Sequence, residues 1–247
     1  MTEPLRPTQV DPDRELRAEF GPYLAMMDFL AALLGSRSEI VLHDISDLSR
    51  SVVALTNGHV SGRSVGAPAT DLVLKVLRNH EHADVEYLAN YLAESAAGVR
   101  FRSSTFFIRD ADGAVIGLLC INIDDSALVQ ARDALALLTA TTGIDKGAPH
   151  SADVSDQRLG ASPSPSRAVA ERLSVTVDDL TLDSVSRIVT AQGVAPLRMT
   201  PDEKIGTVRA LDEAGMFLLK GAVAKAASVL QVSEPTIYRY LKLVRQD

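Results

Sequence analysis

Apolar residues recur at helical spacing in three short segments near the end of the chain. The first segment starts at Thr200, a predicted N-cap, and Glu203 is placed to complete a capping box with it. The second starts near Lys220, and the third follows Ser233, the predicted N-cap of the last helix. The sequence therefore predicts three short helices. Their buried sides are predicted to comprise Ile205, Val208 and Leu211, then Val223, Ala226, Ala227 and Leu230, and finally Ile237, Leu241 and Val244.

Only the residues "QVS" separate the second of these helices from the third, so the chain must turn sharply. The segment "KAASVLQVSEPTIYRYL" resembles the DNA-binding helix-turn-helix, in which the last helix enters the major groove. Gln231 stands where glycine is usual, so we expect a left-handed conformation there, at a cost of about 1 kcal/mol. The predicted DNA contacts lie on the outer side or edge of the last helix and are Ser233, Glu234, Thr236, Tyr238, Arg239 and Lys242.

Charge is unevenly distributed along the chain. The full sequence has a formal charge of −7, which argues against a protein that coats nucleic acid over its whole surface. From Met216 onward, however, basic residues outnumber the acids Glu234 and Asp247 and give a local charge of +3. Glu234 is repelled by phosphates unless it accepts from a cytosine amino group. The sequence therefore predicts one basic face for DNA on an otherwise acidic protein.

The first half of the chain alternates between strand and helix patterns. "EIVLHDI" and "SVVALTN" are β-branched runs of strand length, and a glycine-rich loop then leads into a helix capped by Thr70. "FRSSTFFIRDADGAVIGLLCINID" is predicted to be a long hairpin with its turn at "DADG", followed by a closing helix. Two strands, then helices, then a hairpin is the order of a PAS-like antiparallel sheet with helices over one face. The preceding segment, "GPYLAMMDFLAALLG", predicts an amphipathic helix with Leu24, Met27, Leu30, Leu33 and Leu34 inward.

A segment without hydrophobic periodicity divides the chain. Residues 139–166 are rich in Ser, Pro, Gly, Ala and Asp, and cannot bury enough apolar surface to offset their ordering entropy. The predicted fold class is α+β: a PAS-like antiparallel sheet sensor domain, joined by a flexible linker to an all-α helix-turn-helix domain. The predicted boundaries are 1–21 for a frayed lead-in, 22–138 for the sensor, 139–166 for the linker, 167–199 for one or two connecting helices and 200–247 for the helix-turn-helix.

Polar residues interrupt strands that should be apolar. Cys120 and Asn122 are two residues apart on the return strand of the hairpin, and are therefore expected on one face. Convergent polar groups in a mainly apolar pocket suit a small-molecule site, and Arg63 or Arg102 is suited to grip a carboxylate. Backbone capping and an ordinary exposed strand face are the alternative explanations. The candidate ligand-binding residues are His43, Asp44, Asn57, Arg63, Arg102, Ser103, Ser104, Thr105, Cys120 and Asn122.

Little in the sequence indicates catalysis or metal binding. No acid or oxyanion motif supports a catalytic pair of His43 and Cys120, and His80 and His82 lack further ligands at metal spacing. We therefore predict no catalytic residues, no metal and no cofactor. A single cysteine excludes an internal disulfide and fits a reducing cytoplasm. No apolar run approaches the roughly 20 residues that cross a bilayer, so no membrane partner is predicted.

Four segments together resemble the YheO-like PAS domain family: "EIVLHDI", "VVALTNGHVSGRSVG", "FRSSTFFIRDADG" and "GLLCINID". With the C-terminal helix-turn-helix that this family carries, the resemblance covers about residues 22–138 and 200–244. It implies a bacterial transcriptional regulator, and some members repress D-amino-acid catabolism. We therefore expect a ligand-responsive repressor whose partners are double-stranded DNA and a small effector, with an amino acid among the candidates.

One helix-turn-helix reads only half of an operator, so a homodimer is expected. The alternative function is that of a metabolite-binding module or enzyme whose C-terminal helices mediate protein association. Salt dependence separates the two possibilities, because phosphate contacts weaken steeply as salt rises.

Overall fold

The computed structural model describes residues 6–79, 85–139 and 170–246. The chain divides into one compact unit, Met1–Asp124 together with Val169–Asp247, and a second unit, Asp125–Ala168. The described part of the second unit is essentially one helix, Ser126–Thr139, which matches the predicted closing helix. The predicted linker, residues 139–166, lies outside the described residues except for Thr139.

Within the described residues, seven strands form one mixed sheet. They are β1 (Gln9–Val10), β2 (Ser38–Asp44), β3 (Val52–Thr56), β4 (Tyr87–Ser95), β5 (Arg100–Arg109), β6 (Val115–Ile123) and β7 (Glu171–Leu173). Their spatial order is β1-β3-β2-β6-β5-β4-β7, and neighbours are antiparallel except for β4 and β7, which are parallel. The central antiparallel strands form the PAS-like sheet that the sequence predicts, including the β5–β6 hairpin.

The described α-helices lie before, between and after the strands. They are α1 (Gly21–Leu34), α2 (Asp71–Asn79), α3 (Ser126–Thr139), α4 (Val177–Ala191), α5 (Pro201–Glu213), α6 (Ala222–Leu230) and α7 (Glu234–Val244). None of the described helices has the combination of length and apolar character that spanning a bilayer requires. The fold is α+β, with a PAS-like domain, for which we keep the label sensor from the sequence prediction, and a C-terminal helix-turn-helix made by α6 and α7.

The two faces of the sheet pack against different elements because successive strand residues point to opposite sides. On one face, Ile40 and Leu42 pack with Met27 of α1. On the opposite face, which we call the inner face, Val41 and Leu118 belong to the same hydrophobic core as buried residues of α2, α4, α5, α6 and α7. The sensor and the helix-turn-helix therefore share one continuous core.

The N-terminal lead-in is ordered from residue 6 onward, so the prediction of a frayed segment is wrong there. β1 pairs with β3, Arg14 forms an ion pair with Asp44 at 3.0 Å, and Phe20 is fully buried. An edge strand presents unpaired backbone groups, and the lead-in satisfies them. No periodic signal in the sequence predicts this contact, because strand β1 has only two residues.

Two further segments differ from their predicted structure. Residues 87–95, placed by the sequence order within a helical region, form strand β4 and pair with β5. The connecting segment begins with strand β7 and then forms the single helix α4, where only helices were predicted. Strand β4 pairs with the neighbouring β5, but its register shifts between Leu88 and Tyr91, which interrupts the alternating pattern. Strand β7 has three residues and pairs in parallel with a strand distant in sequence, so a local pattern cannot reveal it.

Helix α1 buries a narrower face than predicted. Met27 and Ala31 are buried, whereas Leu33 is 67% exposed and Leu34 is 39% exposed. The apolar residues of this helix extend around its circumference, and the sheet covers only one side. Part of the apolar surface of α1 is therefore left open.

The helix-turn-helix is built as the sequence predicts. Thr200 and Glu203 form the capping box of α5, with the Thr200 hydroxyl accepting from the Glu203 amide and the Glu203 carboxylate accepting from the Thr200 amide. Gln231 ends α6 with φ at 52°, in the left-handed region. Ser233 precedes α7, and its hydroxyl lies 2.9 Å from the Thr236 hydroxyl rather than capping the backbone.

The left-handed conformation of Gln231 leads to a prediction about the free energy of unfolding. Gln231→Gly should raise the free energy of unfolding by roughly 0.5–1 kcal/mol, because glycine adopts positive φ without a Cβ penalty. The matched control is Gln192→Gly at the end of α4, where φ is −73° and no strain is relieved. We expect the control to lose stability. Urea unfolding followed by circular dichroism measures both, and equal effects of the two substitutions would contradict the prediction.

Candidate DNA-binding face and sensor cavity

Helix α7 presents a polar and partly basic face to solvent. Its inner side, Ile237, Tyr240 and Leu241, is buried in the shared core. The Arg239 guanidinium lies 5.6 Å from the centroid of the Tyr240 ring, a cation–π contact on the flank of the helix. Of the predicted DNA contacts, Thr236 is half-buried, and the others are exposed: Ser233, Glu234, Tyr238, Arg239 and Lys242.

An open groove of about 600 Å³ lies beside this face, between the start of α6 and α7. Lys220, Lys242 and Arg245 line it, together with Glu234 and Tyr238. Cationic groups beside a recognition helix are suited to contact phosphates, which position a protein on the duplex. Lys220 and Arg245 were counted in the local basic charge but were not predicted as contacts. The place of Lys220 beside α7 depends on the fold, whereas Arg245 directly follows that helix.

A row of polar side chains crosses the inner face of the sensor sheet. Asn122 of β6 pairs in register with Glu39 of β2 on one side and with Ser103 of β5 on the other. The Ser103 hydroxyl donates to Asn122 Oδ1 at 2.8 Å, and Asn122 Nδ2 donates to Glu39 Oε1 at 2.8 Å. Ser61 donates to the second Glu39 oxygen. Burial raises the pKa of Glu39, against the opposing effect of the Arg63 cation.

A second polar chain reaches the same face from β7. Glu171 accepts from the Thr70 hydroxyl at 2.6 Å and from the Tyr91 hydroxyl at 2.7 Å. The Tyr91 oxygen is in turn 2.8 Å from Thr105 Oγ1, which is 3.2 Å from Cys120 Sγ. Burial raises the pKa of Glu171, and its hydrogen bonds from Thr70 and Tyr91 oppose that effect. A residue of the predicted connecting helices is thus part of the sensor interior.

Arg63 is the cation of this buried cluster. Its residue is 4% exposed, and the Glu39 and Glu171 carboxylates oppose the lowering of its pKa by burial. Nη2 donates to the Pro68 carbonyl at 2.5 Å, whereas Nε is buried without a partner among the described residues. A guanidinium has five N–H donors, so Arg63 keeps unused donors in a buried position. Such an arrangement is suited to an anionic group of a ligand.

His43 is also incompletely satisfied. Its ring is fully buried, Nδ1 lies 2.7 Å from Ser51 Oγ, and Nε2 has no partner among the described residues. Burial lowers the pKa of His43 well below its ordinary value, and the nearby Arg63 cation lowers it further. The imidazole is therefore neutral at pH 7. Nε2 either accepts or donates, depending on which tautomer Ser51 selects.

A cavity of about 80 Å³ opens at Arg63. A water molecule needs roughly 10–15 Å³ of such space, so the cavity holds several waters or a molecule of few heavy atoms. Gly58 makes the loop possible, since a Cβ there would come within 2.6 Å of the Arg63 carbonyl oxygen. The lining residues are Arg6, Pro7, Gln9, Leu55, Asn57, Gly58, His59 and Arg63.

Asn57 lines this cavity but also has a structural role. Its Nδ2 donates to the Ser38 carbonyl at 2.9 Å, and its Oδ1 accepts from the Arg6 amide at 2.9 Å. Its φ of 55° lies in the left-handed region, which asparagine tolerates better than most residues. Asn57 thus fixes the end of β3 where the glycine-rich loop begins.

Three predicted ligand residues lie away from the cluster. Asp44 follows His43 in β2 and points to the other face, where it pairs with Arg14. Arg102 and Ser104 alternate with the inner-face residues Ser103 and Thr105, and both contact Asn90 on the outer side. The prediction that all the polar residues converge is therefore wrong for these three. The structure brings together His43, Arg63, Ser103, Thr105, Cys120 and Asn122, with Asn57 at the cavity.

Three central members of the cluster were not predicted from the sequence. Glu39 was recognisable, because it is a charged residue two positions from Val41 and four from His43 on one strand face. Glu171 had no local signal, since its position depends on the parallel pairing of β7 with β4. Tyr91 follows a register shift in the pairing of β4 with β5, which interrupts the alternating pattern. The two carboxylates give the cluster its charge balance, which the sequence reading did not anticipate.

The cluster does not have the chemistry of a catalytic thiol. Burial raises the pKa of Cys120 to about 12, with the Glu171 carboxylate acting in the same direction. The thiol contacts Thr105, while His43 contacts Ser51, so neither hydrogen bond joins a nucleophile to a base. Among the described residues, no group of His, Cys, Asp and Glu side chains is arranged to hold a metal. His80 and His82 lie outside the described residues.

The protein combines a PAS-like sheet, which holds a buried polar cluster, with a helix-turn-helix that has an exposed basic face. This combination defines a DNA-binding regulatory protein rather than an enzyme. Comparison with known proteins agrees. Residues 14–140 match the family model of the YheO-like PAS domain, and residues 181–242 match a model described as an HTH domain. The chain belongs to the YheO-like PAS domain family.

Relatives match over nearly the whole chain. The chain is 32% identical over 221 residues to the uncharacterized protein YheO of Escherichia coli, covering 89% of this chain and 82% of the relative. It is 30% identical over 233 residues to an uncharacterized protein of Haemophilus influenzae, covering 94% of each. It is 26% identical over 227 residues to the transcriptional regulator DauR of Pseudomonas aeruginosa, covering 91% of this chain and 93% of the relative.

Proposed function

We propose that the protein is a ligand-responsive transcriptional repressor that acts in the cytoplasm as a homodimer. In this proposal α7 binds operator DNA, and the sensor cluster binds a small polar metabolite. One observation carries it: an exposed basic helix and a buried, incompletely satisfied cation share a single hydrophobic core. The DauR relative is named a transcriptional regulator, which supports the same role. Repression in particular rests on the family resemblance.

The charges of the cluster favour an effector that carries both a carboxylate and a cation. Arg63 offers unused N–H donors to a carboxylate, and two parallel hydrogen bonds would fix its orientation. The carboxyl groups of Glu39 and Glu171 lie near that one guanidinium, so a ligand that also carries a cation suits the cluster better than an anion alone. An amino acid is a small ligand with both groups. The 80 Å³ cavity favours a short side chain.

Helix α1 supplies the surface for the proposed homodimer. Met26, Phe29 and Leu33 lie at helical spacing and are 45%, 65% and 67% exposed. A contiguous exposed apolar stripe on a folded domain marks an interaction surface. Two copies related by a two-fold axis would cover the stripe with itself and present two reading helices to a palindromic operator.

The first prediction of this proposal concerns Arg239. Arg239→Ala should weaken operator binding by about 1–3 kcal/mol, the usual cost of a good base contact. The matched control is Arg100→Ala, an exposed arginine on β5 whose pairing distance to Glu94 is 3.7 Å. Fluorescence anisotropy on the DNA upstream of the protein's own gene measures the affinity at several salt concentrations. Unchanged affinity of a folded Arg239→Ala variant would contradict the assignment of α7.

The second prediction concerns the effector. A panel of glycine, alanine of either hand, acetate and lactate should include a compound that raises the melting temperature, because a ligand that binds only the folded state stabilises it. Arg63→Ala should abolish that shift. Arg102→Ala is the control, since Arg102 lies on the other face of β5 and should leave the shift intact. The proposed site would be contradicted if the ligand still raised the melting temperature of folded Arg63→Ala, or no longer raised that of Arg102→Ala.

The third prediction concerns the oligomeric state. Leu33→Glu should convert the homodimer to a monomer, because a buried charge replaces part of the apolar stripe. Leu197→Glu is the matched control, since Leu197 is 77% exposed in the turn between α4 and α5. Light scattering with size exclusion reports the mass of each variant. A wild-type monomer, or a dimer that is insensitive to Leu33→Glu, would rule out this interface.

A further inference from the structure

A buried carboxylate joins the sensor to the DNA-reading helix. Asp212, in the last turn of α5, is 2% exposed. Arg78 of sensor helix α2 donates from Nη2 to Asp212 Oδ2 at 2.5 Å. Arg245, directly after α7, donates from Nη2 to Asp212 Oδ1 at 2.7 Å and from Nε to Oδ2 at 3.2 Å. One carboxylate therefore holds the end of the sensor helix and the end of the reading helix.

The ionised state of Asp212 is favoured by these contacts. Burial alone raises the pKa of Asp212, but hydrogen bonds from Arg245 and Arg78 outweigh burial and hold the pKa below its ordinary value. Arg78 Nε also donates to the Asp212 backbone carbonyl at 3.2 Å, so Arg78 grips both the side chain and the main chain. Charge-assisted hydrogen bonds of this kind are stronger than neutral ones and fix geometry as well.

Close packing between α2 and the turn after α5 also restricts movement at this junction. Gly215 follows α5 with φ at 73°, and a Cβ at that position would lie 2.4 Å from the Leu74 carbonyl oxygen of α2. Leu74 itself is fully buried. The backbone of the helix-turn-helix therefore touches the backbone of the sensor helix, and a movement of α2 displaces the turn after α5 directly.

The other end of α2 is anchored in the buried polar cluster. The Thr70 hydroxyl accepts from the Val73 amide at 3.3 Å as the helix cap, and donates to Glu171 at 2.6 Å. From Thr70 to Arg78 the helix spans about 12 Å at a rise of 1.5 Å per residue. Helix α2 is thus tied to Glu171 at its start and to Asp212 at its end.

We propose that Asp212 is the positioning residue of the DNA-reading helix, and that it sets the placement of α7 against the sensor through Arg78 and Arg245. This inference rests on the proposed function and extends it to the route of regulation. A change at the Arg63 cluster that shifts Glu171 or Thr70 moves α2, and Asp212 passes that movement to α7. The route runs through packed residues of one compact unit and does not require residues 139–166 to transmit geometry.

The test uses the full-length protein and the variant Arg78→Gln. This change keeps Asp212 paired with Arg245, and the Arg78 side chain is 37% exposed, so the fold should persist. We expect hydrogen–deuterium exchange of the α7 amides to rise about tenfold, the effect of losing one charge-assisted hydrogen bond. Arg78→Lys keeps the charge but cannot donate from two nitrogens at once, so it should give an intermediate exchange rate. Arg100→Gln, an exposed arginine of β5, is the control and should leave α7 unchanged.

A double-mutant cycle separates positioning from plain stability. Thr70→Ala frees the sensor end of α2 and should change operator affinity in the wild-type background. In the Arg78→Gln background the same substitution should change affinity at most about twofold, because the connection is already broken. Strictly additive effects of the two substitutions would overturn the proposal, as would unchanged α7 exchange in Arg78→Gln. If the wild type does not bind operator DNA, the proposed function fails, and the exchange measurement still decides whether Asp212 positions α7.

Discussion

The burial of one guanidinium between two carboxylates is the interaction on which the rest of the structure depends. Arg63 is brought under the glycine-rich loop and is flanked electrostatically by Glu39 and Glu171. An isolated charge in an apolar interior is costly, and the nearby Glu39 and Glu171 side chains favour the charged form of Arg63. Glu39 belongs to a central strand, but Glu171 comes from a part of the chain that follows the linker. The cluster therefore draws the C-terminal half of the protein onto the sensor sheet.

The consequences of that attachment extend to the helix-turn-helix. Because Glu171 lies in β7, which pairs with β4, the following helix α4 starts against the sheet and continues its hydrophobic core. Helices α5, α6 and α7 pack onto the same core. The ion pairs of Asp212 then join α5 to Arg78 of α2 and to Arg245 after α7. The outer side of α7 stays exposed, since only its inner side has an apolar partner. One packing arrangement thus joins a buried sensor interior to an exposed polar helix.

The polar cluster leaves two atoms, Arg63 Nε and His43 Nε2, buried without partners among the described residues. Buried polar groups are nearly always hydrogen-bonded in native proteins, and the proposed effector would supply the partners that these two atoms lack. The surrounding groups already satisfy one another through Ser61, Asn122, Thr70 and Tyr91. Arg63 also lines the cavity of about 80 Å³ beside the cluster.

Local patterns determined the elements whose partners are close in sequence. The capping box at Thr200, the left-handed Gln231, the β5–β6 hairpin and the two strands before it all follow from short-range spacing and turn chemistry. The resemblance of several segments to the YheO-like PAS family was also readable, and the family match bears it out. Six members of the buried cluster were identified from the sequence, most of them because polar residues in an apolar strand stand out.

The tertiary structure alone decided which polar residues meet. Strand alternation separated Ser104 and Arg102 from Ser103 and Thr105, a distinction that depends on knowing which face is buried. Glu171 joined the cluster through a parallel pairing of β7 with β4, which no local pattern encodes. Asp212 likewise gained two arginines that are 134 and 33 residues away along the chain. The sequence by itself determined the parts and the class of protein. The contacts that connect sensor to reading helix arose only when long-range burial of charge required those parts to pack together.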